Sequence, residues 1–166
     1  MNKEKYGVWM LKKIIPAFLL FILFASSALA GEEYMADTDY EPLEFRGIKW
    51  QESLDNVRGM EELNREEDGI EITCSRKGED LRFGRAELSS VEYVFINRKL
   101  SMVSVVVSGD KNQNALLSEA KSMFGQETIH AGDDYMWRFT NVMVMYSKEQ
   151  NDQSVLFYKY IGFLNK

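Results

Sequence analysis

Two apolar runs, Val91 to Ile96 and Leu100 to Val107, are separated only by Asn97, Arg98 and Lys99, and this pairing constrains the fold more than any other feature of the chain. β-Branched and aromatic residues dominate both runs, which suits strands, and the short polar break between them suits a hairpin. Near their centres the runs do not alternate: Val105, Val106 and Val107 are consecutive. A strand that is apolar on both faces belongs in the middle of a sheet whose two sides are shielded from water. The rest of the chain therefore has to supply cover for each side of this hairpin.

Downstream, Asn112 or Asn114 can cap a helix whose Leu116, Leu117, Ala120, Met123 and Phe124 form one apolar stripe, with Gly125 placed as its stop. Three strands then follow as a meander: Tyr135 to Phe139, Val142 to Tyr146 and Val155 to Ile161. Upstream, Leu43 to Trp50 reads as extended, and Ser53 stands as the N-cap of a short helix carrying Leu54, Val57 and Met60. Gly59 weakens that helix, and the acids from Glu61 to Asp68 read as its solvated exit. Ile70, Ile72 and Cys74 alternate with polar residues as in a strand with one buried face, and Leu81 and Phe83 form a second short extended piece. The pattern predicts a single α+β domain: an antiparallel sheet built from a hairpin, a helix and a three-strand meander, with about two helices packed on one face.

The first 30 residues have the layout of an export signal. Lys3, Lys5, Lys12 and Lys13 precede an apolar run from Ile14 to Ala25, and Ala28 and Ala30 form an A-x-A cleavage site. A bilayer core of about 30 Å needs roughly 20 apolar residues, so the run is short for a span. The expected organisation is a signal peptide at 1–30, a flexible acidic leader at 31–42 and one domain at 43–166, placed in the periplasm or secreted, with no membrane insertion after cleavage. The whole chain carries a formal charge of −6, and loss of four signal lysines makes it more acidic. Clustered Lys and Arg are what bind phosphate backbones, so nucleic acid is not an expected partner. Cys74 is the only cysteine, which rules out an intramolecular disulfide.

Few residues offer chemistry. His130 is the only histidine and sits in a polar stretch beside Gly132, Asp133 and Asp134, without the neighbours of a nucleophilic triad. Cys74 lies among inward-facing apolar residues, where a thiol acts as a small hydrophobe. Zinc needs three or four Cys, His or carboxylate ligands and is not expected. Asp110, Asn112 and Asn114 imitate the opening of a calcium loop, but Ala115 and Lys121 stand where glycine and glutamate are required. Phosphate-cradling glycine motifs are absent, so neither a metal nor any other cofactor is expected. A carboxylate pair for hydrolysis of cell-wall or glycan material stays possible on numbers alone.

What remains is an aromatic concentration in the meander: Tyr135, Trp137, Phe139, Tyr146, Tyr158 and Tyr160. Large amphipathic side chains on a sheet with too few helices to cover both sides suggest an aromatic binding face. The leading expectation is a non-enzymatic binding or envelope-accessory protein that recognises a protein or envelope component. The alternatives are the carboxylate-dependent hydrolase and a small-ligand carrier.

The strings F-R-G-I-K-W-Q-E-S-L-D-N-V (Phe45 to Val57), S-R-K-G-E-D-L-R-F-G-R-A-E-L (Ser75 to Leu88) and V-E-Y-V-F resemble a group of small exported bacterial proteins of unknown function. Gln51 stands where that group usually has glycine. The extended piece followed by S-L-x-x-V is distantly similar to small periplasmic domains of the outer-membrane-assembly and β-lactamase-inhibitor type. The resemblance implies an exported domain with structural rather than catalytic motifs. Intact mass of the exported protein checks the processing: a chain that begins at Gly31 and carries no lipid is expected, and a mass that includes residues 1–30 would show a retained anchor.

Overall fold

The computed structural model describes residues 36–149 and 151–162. The predicted export signal, the start of the leader and the last four residues lie outside them. In chain order the described elements are a 3-10 turn (Thr38–Tyr40), a hairpin of β1 (Glu44–Phe45) and β2 (Ile48–Lys49), a second 3-10 turn (Leu54–Asn56), β3 (Met60–Arg65), β4 (Glu71–Arg76), a hairpin of β5 (Arg82–Phe83) and β6 (Ala86–Glu87), β7 (Ser90–Ile96), β8 (Lys99–Ser108), α1 (Asp110–Phe124), β9 (Ile129–Ala131), β10 (Asp134–Arg138), β11 (Val142–Glu149) and β12 (Gln153–Tyr160). Eight strands make one antiparallel sheet in the order β3-β4-β7-β8-β12-β11-β10-β9, and the predicted hairpin, β7 with β8, sits inside it.

Pairing register decides which side chains share a face. Tyr93 lies opposite Val103, Val103 opposite Tyr158, Tyr158 opposite Val144, and Val144 opposite Trp137. All five are buried. A bulge on β8 at Ser101 resets the alternation, so Leu100 pairs with Phe95 and both stay in this core. Asn97 and Arg98 both have positive φ, as a two-residue turn with the twist of the strands requires.

Helix α1 covers this face with Leu116, Ala120 and Phe124, all buried. The Phe124 ring meets Trp137 at 5.7 Å, Tyr158 at 6.0 Å and Phe139 at 6.1 Å between centroids. Trp137 Nε1 donates to the Gly125 carbonyl over 3.0 Å, tying the sheet to the end of the helix. The β1–β2 hairpin closes the same side, with Phe45 edge-on to Tyr93 and Tyr158. Arg46, in its turn, pairs with Glu79, whose other oxygen accepts from the Tyr93 hydroxyl over 2.6 Å. Burial and that hydrogen bond push the Tyr93 phenol up, so it stays a donor. The β5–β6 hairpin is held on α1 by Glu119, which accepts from Arg85 at both its backbone nitrogen and Nε.

The expected α+β fold with two helices is corrected by this architecture. The described residues are 50% strand and 17% helical, with one α-helix. Ser53 does cap a turn, accepting from the Asp55 backbone, but the turn stops at Asn56. Gly59, at φ +79°, then redirects the chain into β3. The acids read as a solvated helix exit are the edge strand of the sheet, where Glu61 and Glu62 are exposed. Charged side chains suit an edge because they discourage pairing with another chain. Leu54, Val57 and Met60 still pack on the core, by way of a turn and a strand rather than a helix. The cap of α1 is Gly109, not an asparagine; Asn112 instead accepts from the Glu87 backbone and donates to the Ser108 carbonyl.

Of the predicted leader, residues 36–42 are described, and they are held. The Ala36 amide donates to the Arg138 carbonyl over 2.8 Å, Glu41 accepts from the Asn141 amide over 2.6 Å, and Trp50 Nε1 donates to the Pro42 carbonyl over 2.7 Å. Ala36 is itself part of the core.

One helix closing one face makes its inner row decisive. Leu116→Ala is expected to cost about 2–5 kcal/mol, whereas Lys111→Ala, on the exposed side of α1, should stay within about 0.5 kcal/mol. Urea unfolding with an unchanged m-value measures both.

Candidate binding face of the sheet

The six aromatic residues expected to form a binding face belong to the covered side. Trp137 and Phe139 are fully buried, and Tyr146 and Tyr158 nearly so. Tyr135 and Tyr160 are partly buried and pack against the same core. Tyr146 donates to Ser154 Oγ over 3.0 Å, and the Tyr158 hydroxyl is buried with no hydrogen-bond partner among the described residues. Tyr135 comes nearest to the outside, with His130 stacked on it at 4.2 Å and Lys121 Nζ 4.0 Å from its ring centre.

The opposite side of the sheet carries a second apolar set. Met102 lies between Val94 and Lys159, Phe157 between Ser104 and Met145, and Met145 opposite Met136. Val106 pairs with Val155 one row further along. Four of the nine methionines of the chain stand here: Met102, Met136, Met143 and Met145. Val94, Met136 and Val155 are buried, while Met102, Val106, Met143 and Met145 are half-buried. None of these side chains belongs to the core beneath α1. Both hairpins, the 3-10 turn at Leu54 and α1 all contribute to that core, so these elements outside the sheet pack on the first face.

Charge on the second face is arranged unusually. Glu71, Glu92 and Glu149 alternate onto it, and burial pushes each carboxyl up; Glu66 and Asp68 add to the effect at Glu71, and Asp134 at Glu149. Lys159, on the same face, is pushed down by burial. The side chains of these three glutamates make no ion pair or hydrogen bond among the described residues. Asp134 differs, since it accepts from Ser147 Oγ over 2.7 Å.

The other predicted candidates are dispersed. Cys74 is buried beside Tyr93, and burial pushes its thiol up, away from the reactive thiolate. His130 lies on the edge strand β9, with Nε2 2.9 Å from the Gly132 carbonyl and Nδ1 3.9 Å from Glu127. Among the described residues no three His, Cys, Asp or Glu side chains converge as metal ligands, and no helix is long and apolar enough to cross a membrane. Comparison with protein-family models, curated proteins and solved structures finds no match to this chain. The described residues define a β protein built on one eight-stranded antiparallel sheet, with one face closed by α1 and two small hairpins and one methionine-lined face, and its function has to be read from that second face.

Glu92 gives the face a testable pH signature. Its folded pKa lies above the ordinary value of 4.5, so the folded state holds the proton more tightly than the unfolded one. Stability is then lost as pH rises from about 4.5 through the raised value, and the loss is complete above it. Glu92→Gln is expected to match the parent near pH 4 and to be more stable at pH 7. Urea midpoints at the two pH values check this, and a variant less stable at pH 7 would contradict it.

Proposed function

We propose that this chain is an exported, non-enzymatic binding protein that recognises a protein or envelope component through the sheet face opposite α1. The observation that carries the reading is the methionine-lined face itself. Its side chains lie outside the core, while α1, both short hairpins and the turn at Leu54 are committed to the other side. Large apolar patches on soluble proteins mark partner sites, and methionine is favoured there because its unbranched side chain adapts to different surfaces. The aromatic residues first expected to touch a partner instead hold the sheet rigid beneath it. Export, to the periplasm or beyond, follows from the residues at 1–30 and is part of the same proposal.

A photo-reactive amino acid placed at Met102 or Met145 in the full chain, expressed in its native compartment, tests the reading. Discrete adducts are expected from both positions and none from Lys111 on the exposed side of α1. If Met102 and Met145 give no adduct beyond the Lys111 control, the face is not a binding surface.

A further inference from the structure

The β1–β2 hairpin is joined to the rest of the fold lightly for an element that closes part of the core. Its two strands pair only with each other and make a sheet of their own, outside the eight-stranded ladder. From residues 42–52, two backbone hydrogen bonds reach the sheet among the described residues: the Gln51 amide donates to the Leu100 carbonyl, and the Leu100 amide donates to the Glu52 carbonyl. Phe45 and Ile48 are buried, while Leu43, Glu44, Gly47 and Lys49 are exposed. Trp50 Nε1, bonded to the Pro42 carbonyl, ties the two ends of the stretch to each other rather than to the sheet. Firm attachments stand on either side of it. Glu41 accepts from the Asn141 amide before it, and the Leu54 amide donates to the Arg98 carbonyl after it.

Two features work against the closed position. Arg46 and Gln51 have positive φ, +50° and +67°, a region that crowds an L side chain. Beneath the hairpin, the Tyr158 hydroxyl is buried with no hydrogen-bond partner among the described residues. Two rings of the hairpin stretch lie against that tyrosine, Phe45 at 5.1 Å and Trp50 at 6.4 Å between centroids. A hydroxyl withdrawn from water without a partner disfavours the state that buries it, and lifting its cover relieves the penalty.

One side chain fastens the turn. Arg46 pairs with Glu79 and donates to the carbonyls of Asp80 and Arg82, so it bridges from the hairpin to the chain between β4 and β5. The Arg46 carbonyl in turn accepts from Arg76 Nη1 over 3.3 Å.

We propose that residues 42–52 form a hinged strap, latched by Arg46, that opens while the eight-stranded sheet stays folded and so uncovers the Tyr93 and Tyr158 phenols. The strap lies on the face opposite the methionines, so the failure of either reading leaves the other standing.

Amide hydrogen exchange of the protein as isolated, followed residue by residue by NMR in increasing sub-denaturing urea, tests this. The Gln51 amide is expected to exchange about a hundredfold or more faster than the slowest amides of β8 and β12, and with little response to urea, because a local opening exposes little surface. The slowest sheet amides should accelerate steeply with urea. Arg46→Gln is expected to speed Gln51 exchange about tenfold by removing the latch. Tyr158→Phe is expected to slow it by about the same factor, since the closed state then buries no unpaired hydroxyl. A Gln51 amide that exchanges at the rate of the slowest sheet amides, with the same urea response, would overturn the proposal by showing that the hairpin leaves only with the whole fold. Unchanged or faster exchange in Tyr158→Phe would overturn it too, by showing that the hydroxyl does not oppose closure. If Arg46→Gln fails to fold, the urea response of the parent protein and the Tyr158→Phe variant decide the question.

Discussion

The structure depends on the pairing of β8 with β12, which runs from Gln153 opposite Ser108 to Lys159 opposite Met102. It joins the strands before α1 to the meander after it, and without it neither half has a complete face. This is an antiparallel contact across about fifty residues of sequence, and its cost in chain entropy is recovered only when a continuous apolar surface is buried. Val103, Val105 and Val107 on one strand, with Leu156 and Tyr158 on the other, supply that surface. α1, which lies between the two strands in sequence, folds back over the seam they form.

An asymmetry follows. An eight-stranded sheet has two faces, and its central strands here are apolar on both. The helix, both short hairpins and the turn at Leu54 all close the face that carries Trp137 and Tyr158. On that side the polar atoms are used to fasten layers together, as in the Arg46, Glu79 and Tyr93 chain and the bond from Trp137 to Gly125. On the other side the side chains of Glu71, Glu92 and Glu149 make no hydrogen bond or ion pair among the described residues, and burial works against their ionised forms. Polar groups that stabilise no part of the fold, set around adaptable apolar side chains, are what a recognition surface requires.

Much of this was legible in the residues. The β7–β8 hairpin, α1 with its stop at Gly125, and β10 to β12 lie where periodicity and turn chemistry placed them. The edges were not legible. β3 is six residues of which three, Glu61, Glu62 and Arg65, are charged, and β9 is the three exposed residues Ile129, His130 and Ala131, so neither shows an apolar alternation. Their strand character comes from pairing with β4 and β10. The short S-L-x-x-V stretch has helical spacing but only one turn of it, and tertiary packing of Leu54 and Val57 overrode propensity. The site was half legible: two apolar faces could be seen in the meander, but not which set of side chains α1 would take. Aromatic size pointed to Trp137 and Tyr158, and the larger side chains went to the core because their burial stabilises most.

The central claim is that the methionine face and not the valine face of the β8–β12 seam meets the surroundings. Relaxation of methyl signals by a soluble paramagnetic agent, measured on the protein as isolated, tests it directly. Strong enhancement is predicted for Met102, Met143 and Met145, alongside the exposed Met123 on α1, with Val105, Val144 and Leu156 protected. Methionine methyls as protected as Val105 and Val144, or enhancement of the valine set in their place, would contradict it.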